Sequence, residues 1–190
     1  MKKILSFLLI VTFLISCKSS EEDIIDFPSI SGMSYSIEKV ELEIPVDANG
    51  DDIFSLDLVD EGTSCFTRPI NFQINGKVEN PAVNNIISFN INYASGGVPS
   101  SQSIACPVLD FPLANYAQTG NRINLFYSNF PAFVTGTISD DLNTVTFTFT
   151  FQNFVAQSFN GGGVIGNKIL NEDGTVTEYA GNITLTYIRQ

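Results

Sequence analysis

The chain has few side chains able to do chemistry. They are three cysteines (Cys17, Cys65 and Cys106), an oxygen-rich run Asp47-Ala48-Asn49-Gly50-Asp51-Asp52, a glycine triplet (Gly161, Gly163, Gly166) and twenty scattered carboxylates. None of the 190 residues is His. This removes Ser-His-Asp and Cys-His relays and every His-ligated metal site. The Asp47 run places oxygens at positions 1, 3 and 5, the spacing with which alternate side chains of a tight turn converge on calcium. Position 6 is Asp52 where an EF-hand has Gly, and position 12 is Leu58 where it has Glu. The run therefore gives a partial calcium loop of Asp47, Asn49, Asp51 and Asp52, with Asp57, Asp60 or Glu61 as further ligands. Its alternative is a plain hairpin turn on Asn49-Gly50.

Register separates those two readings. A two-residue turn would pair Val46 with Ile53 and put Phe54, Leu56 and Leu58 on the face opposite Leu42, Ile44 and Val46. The apolar pattern instead requires a bulge or a longer loop. Gly161, Gly163 and Gly166 fit G-x-G-x-x-G, yet β-forming residues follow where a dinucleotide site needs a helix, so a hairpin loop is expected. Paired carboxylates would suit a small hydrolase, and the six tyrosines would suit either a ligand cleft or packing.

The amino terminus carries an address. Lys2 and Lys3 precede an apolar run, Ile4 to Ile15, too short to cross a bilayer and of signal-peptide size. It ends Leu14-Ile15-Ser16-Cys17, which resembles the lipobox of bacterial lipoproteins with a type II signal peptide. The resemblance implies cleavage of residues 1–16 and lipidation of Cys17, a firm membrane anchor. Lys18 at the next position resembles outer-membrane sorting, and Glu21-Glu22-Asp23 resembles the acidic export signal of surface-exposed lipoproteins. Residues 17–32 then read as a flexible acidic tether, and 33–190 as one β-domain.

Charge supports this division. The chain has 9 Lys plus Arg against 20 Asp plus Glu, net −11, with pI near 4.2. Loss of Lys2 and Lys3 with the leader leaves 7 against 20, or −13. Residues 18–61 hold 13 of the acids and two Lys. No basic patch is left to replace phosphate counterions, which excludes nucleic acid as a partner.

The remainder reads as antiparallel β, from period-2 alternation with one wet face. The clearest runs are Val40–Val46, Ile70–Val78, Ile87–Tyr93, Thr144–Phe151 and Ile183–Tyr187. Further strands are expected near Phe54–Leu58, Ile104–Leu109, Ile123–Tyr127, Val134–Ile138 and Val164–Leu170. A short helical turn is expected within Asp110–Gly120. About eight to ten strands, mostly in a meander, make one antiparallel β-barrel or β-sandwich, the barrel slightly favoured. In the hairpin Val134–Phe151, a pairing of Ile138 with Val145 would set Thr137 opposite Thr146 and Thr135 opposite Thr148. That segment weakly resembles hairpins of lipocalin-like barrel lipoproteins, although the Gly-x-Trp signature of lipocalins is absent.

With Cys17 lipidated, Cys65 and Cys106 form an even pair in an oxidising compartment and are expected to be disulfide-linked. The expected function is that of a non-catalytic binding or interaction module of the outer membrane or cell surface. It would be held there by Cys17 and directed at a glycan, small molecule or protein. The alternatives are a lipocalin-like carrier of a small apolar ligand, and a carboxylate-based envelope hydrolase. No cofactor beyond calcium is expected.

Overall fold

The computed structural model describes residues 27–62, 64–80, 87–105, 114–126, 133–151 and 166–190. The leader, Cys17, most of the tether and Cys106 lie outside them. Thirteen strands form: β1 (Ser34–Val46), β2 (Ser55–Asp57), β3 (Ile70–Phe72), β4 (Lys77–Glu79), β5 (Ser88–Tyr93), β6 (Pro99–Ala105), β7 (Ala114–Thr119), β8 (Arg122–Phe126), β9 (Phe133–Ile138), β10 (Thr144–Thr150), β11 (Lys168–Leu170), β12 (Val176–Glu178) and β13 (Asn182–Arg189).

Nine of them form one sheet in the order β13-β10-β9-β8-β7-β4-β3-β1-β2, and β13 also pairs with β1. That pairing closes eight strands into an antiparallel barrel and leaves β2 as a ninth strand on β1. The barrel alternative is therefore the correct one, and the sandwich is excluded. Around the barrel the strands follow chain order, so it is a meander. Its excursions are β2, the β5–β6 hairpin and the β11–β12 hairpin, which bring the strand count above the eight to ten expected.

Alternation builds the barrel wall. In β10, Val145 and Phe147 are buried between Thr144, Thr146 and Thr148; in β13, Ile183, Leu185 and Tyr187 are buried between Thr184 and Thr186. Val145 pairs with Ile138 and Thr146 with Thr137, the register expected from sequence. Phe147 then faces Gly136. A Cβ on Gly136 would sit 2.6 Å from the Phe147 ring, so the missing side chain is what admits the ring. In β1 the buried positions are Tyr35, then Val40, Leu42 and Val46: the inward set changes from odd to even numbers. A register shift between Ile37 and Lys39 absorbs the change, one extra residue re-aiming the rest of the strand.

Two expectations fail here. Ile70–Val78 is not one strand but the β3–β4 hairpin, with Gly76 at φ +78° and its N–H donating to Gln73 O at 3.0 Å. Asn75-Gly76 is a turn signal embedded in an alternating run, and it leaves Ile74 88% exposed. Residues 114–119 are strand β7 where a helical turn was expected. Tyr116 and Gln118 point inward between exposed Asn115, Ala117 and Thr119, a period of two.

Among the described residues the interior is lined with buried apolar side chains, and segments pack across it at both ends. At the end where the chain enters, fully buried Ile30 donates its N–H to Gln118 Oε1 at 3.0 Å, and Gln118 Nε2 donates to Pro28 O at 2.8 Å. The ordered fold thus begins ahead of residue 33, inside the segment expected to be tether. Tyr35 Oη donates to Leu142 O at 2.9 Å beneath it. At the opposite end the two hairpin excursions meet. Phe89 N–H donates to Gly166 O at 2.8 Å, and Phe89, Phe151 and Tyr179 pack with ring centroids 5.6 to 6.3 Å apart.

Candidate functional site

The acidic loop that follows β1 is the longer connection that the apolar pattern requires. Val46 pairs with Ser55, not Ile53, so eight residues connect the strands, and the β1–β2 ladder shifts before Glu41 meets Asp57. The loop is held by its own acids. Asp47 Oδ1 accepts from Gly50 N–H at 2.7 Å and Oδ2 from Asp52 N–H at 3.1 Å. Asn49 Oδ1 accepts from Asp51 N–H at 2.9 Å, and Asp51 Oδ1 from Ile53 N–H at 2.9 Å. These are Asx turns, in which a short side-chain oxygen replaces a backbone acceptor.

Beneath the loop lies Glu61, only 5% exposed, whose Oε2 accepts from Ala48 N–H at 2.7 Å and Asn49 N–H at 3.2 Å. Asp57 Oδ1 instead caps Val40 N–H and Val59 N–H, both at 3.0 Å, and Asp60 lies near Ser55 Oγ. Of the candidate calcium ligands, Asp47, Asn49, Asp51, Asp57 and Glu61 are thus turned onto backbone amides. Among the described residues no group of three or more His, Cys, Asp or Glu is placed to hold a metal.

The remaining sequence candidates are dispersed. Gly166 abuts the β5 backbone so closely that a Cβ would collide with Phe89 O, and β11, not a helix, follows it. The glycine is needed for packing, and its partners Gly161 and Gly163 lie outside the described residues. Tyr35, Tyr179 and Tyr187 are buried core, so half of the tyrosines line no cleft. Burial pushes the Tyr35 and Tyr179 hydroxyls above the ordinary tyrosine pKa. Cys65 is buried in a single 3-10 turn, Ser64–Phe66, while Cys106, the residue after β6, lies outside the described residues.

One feature of the wall was not read from the sequence. β3 pairs with β1 only at Ser34 and Tyr35, and the β2 side of β1 starts at Val40, where Leu58 N–H donates to Val40 O at 2.9 Å. No described strand pairs with Ser36–Lys39 on that side. Pro69 locks φ at about −65°, away from antiparallel strand geometry, and the chain bends away at Arg68. A groove of about 320 Å³ lies over the gap, lined by Ile37, Val59, Phe66, Arg68 and Pro69 among others. The signals for it were the odd-to-even change in β1 and the proline one residue before β3.

The chain matches no known protein family, no curated protein and no solved structure. Its class is thus set by its own architecture: a closed, eight-stranded, up-and-down antiparallel β-barrel with a packed interior.

Proposed function

We propose that the chain is a bacterial outer-membrane lipoprotein, anchored through Cys17, whose barrel acts as a non-catalytic binding module at the envelope. The lipobox motif supports the anchor. The observation that carries the binding role is the plugged, side-chain-filled barrel. Tyr35, Phe72, Phe147 and Tyr187 occupy the space in which an apolar cargo would sit, which weighs against a carrier. Asp47, Asp51, Asp57 and Glu61 of the first hairpin serve as backbone acceptors, which weighs against these carboxylates working as a pair in a cleft. A glycan, small molecule or protein would then meet the outer wall or the end loops. The geometry of the chain suits display, because residues 27–33 enter at one end and the hairpin excursions and acidic loop stand at the other.

The Cys65–Cys106 disulfide belongs to the same proposal. It would close a loop of about 40 residues, worth roughly 4 kcal/mol in the chain-entropy account. Intact mass of the membrane-extracted protein tests the anchor. Residues 1–16 should be missing and acyl mass should sit on Cys17, and the Cys17→Ser variant should lose both. A wild-type chain retaining its leader, or carrying no acyl mass, overturns the anchor. Thiol titration of the denatured, non-reduced protein should find no free thiol; two would remove the disulfide.

A further inference from the structure

We propose that the gap in the barrel wall beside β1 is a peptide-docking slot, which takes an extended apolar segment ending in a free carboxylate. The inference deepens the binding-module reading and rests on it. It stands on three features that converge at one place.

The first is backbone left without a strand. Between the β3 pairing at Tyr35 and the β2 contacts at Val40, Ser36–Lys39 has no strand partner on that side among the described residues. At about 3.3 Å per residue this stretch offers roughly 13 Å of strand, enough for about four residues of an added peptide. Strand addition draws affinity from main-chain hydrogen bonds and specificity from pockets for alternate side chains.

The second is the groove over that stretch. Ile37, Phe66 and Pro69 are partly or wholly buried at its base, and Val59 is 38% exposed at its rim. These walls suit aliphatic side chains. The third is Arg68, which is exposed at the groove and makes no ion pair among the described residues. Only five bases lie in residues 62–190 against seven acids, and residues 18–61 are strongly acidic. An unpaired guanidinium in such a protein complements one carboxylate, and its fork matches a carboxylate with two parallel hydrogen bonds. The surrounding negative charge repels a polyacidic ligand. The complementary ligand is therefore apolar along its length with a single negative end.

The test uses the full chain, purified in detergent, and a hexapeptide alternating valine and threonine with an amino-terminal fluorophore. Anisotropy should show saturable binding at micromolar concentrations, at least tenfold tighter for the free carboxylate than for the carboxamide. Arg68→Gln should remove that preference while leaving the circular dichroism unchanged, since its side chain is exposed. Val59→Glu should weaken both peptides, and N-methylation at alternate peptide nitrogens should do the same. Equal binding of acid and amide, a preference that survives Arg68→Gln, or no saturable binding overturns the slot. Binding of dodecanoate in place of the peptide would assign the groove to a fatty acyl carboxylate and also overturn it. Peptide failure with Cys17 acylated overturns the slot alone; peptide binding with Cys17 unmodified overturns the anchor alone.

Discussion

Gly136 gives the sharpest test of how the barrel is packed, because two opposite effects compete there. It sits in β9 opposite Phe147, is buried, and lies outside the positive-φ residues, so alanine meets no backbone strain. In an open strand, Gly→Ala stabilises by about 0.4–1 kcal/mol, because it stiffens the unfolded chain. Here the new Cβ would lie 2.6 Å from two Phe147 ring carbons and 2.9 Å from Thr146 O. Ordinary carbon contacts lie at about 3.5–4.0 Å, so the ring must move by nearly 1 Å within a filled interior, and the backbone oxygen cannot swing aside. Overpacking of this kind costs about 1–3 kcal/mol. The net expectation for Gly136→Ala is a loss of about 1–2 kcal/mol. At about 2–4 °C per kcal/mol for a chain of this size, the melting midpoint should fall by roughly 2–8 °C. Phe147→Leu removes the clashing ring carbons, so the double variant should lose less than the two single losses added, by at least about 0.5 kcal/mol. A Gly136→Ala protein that melts at or above wild type, or strict additivity in the double variant, refutes the packing described.

Three further outcomes follow from the geometry. Glu61→Ala leaves the Ala48 and Asn49 amides without their acceptor and should lower the urea-derived stability by about 1–3 kcal/mol; an unchanged midpoint would show that water replaces the carboxylate at no cost. Melting with calcium or with chelator should give the same midpoint, because the Asp47, Asn49 and Asp51 oxygens already serve amides; a higher midpoint with calcium would reassign them to an ion. Tyr35 and Tyr179 titrate above the ordinary tyrosine pKa because burial disfavours their charged form. The unfolded chain therefore loses those protons first, and the stability they contribute, complete below about pH 10, falls as pH rises through and beyond it. Absorbance at 295 nm should show late tyrosines ionising together with alkaline unfolding; a single transition near pH 10 with the fold intact would refute their burial.

The legible parts of the fold were those that a period of two specifies alone. β10 and β13 alternate without interruption, and the β9–β10 register followed from matching Ile138 to Val145. Closure was harder to read, since β1 and β13 are far apart in sequence and no local pattern selects that pairing over a sandwich edge. β1 also hides its own continuity. Tyr35 and Val40 lie on the same face only because a bulge intervenes, so the odd and even runs look unrelated. The β3–β4 hairpin was masked by Ile74, an apolar residue in phase with a strand and yet placed in a turn. In the acidic loop the spacing was read correctly, but spacing does not distinguish oxygens aimed at an ion from oxygens aimed at amides. That distinction depends on φ at Gly50 and Asp52 and on a buried acid ten residues beyond the loop's middle.

The gap beside β1 is where the proposed ligand would meet the barrel. Buried side chains occupy the described interior, and a closed sheet normally has no free backbone to offer. β1 departs from closure on one side because its neighbours are short: β3 stops at a proline, and β2 approaches only from Val40 onward. Extending β3 across that gap would complete the ladder and remove the groove. Pro69 opposes this through its ring, which locks φ at about −65° against about −140° in an antiparallel strand. A Pro69→Val substitution frees that angle and lets β3 extend along β1, so it should stabilise the free domain while weakening the carboxylate-ended peptide. Gain of stability with peptide affinity intact would show that the gap is a defect in the wall and not a recognition slot.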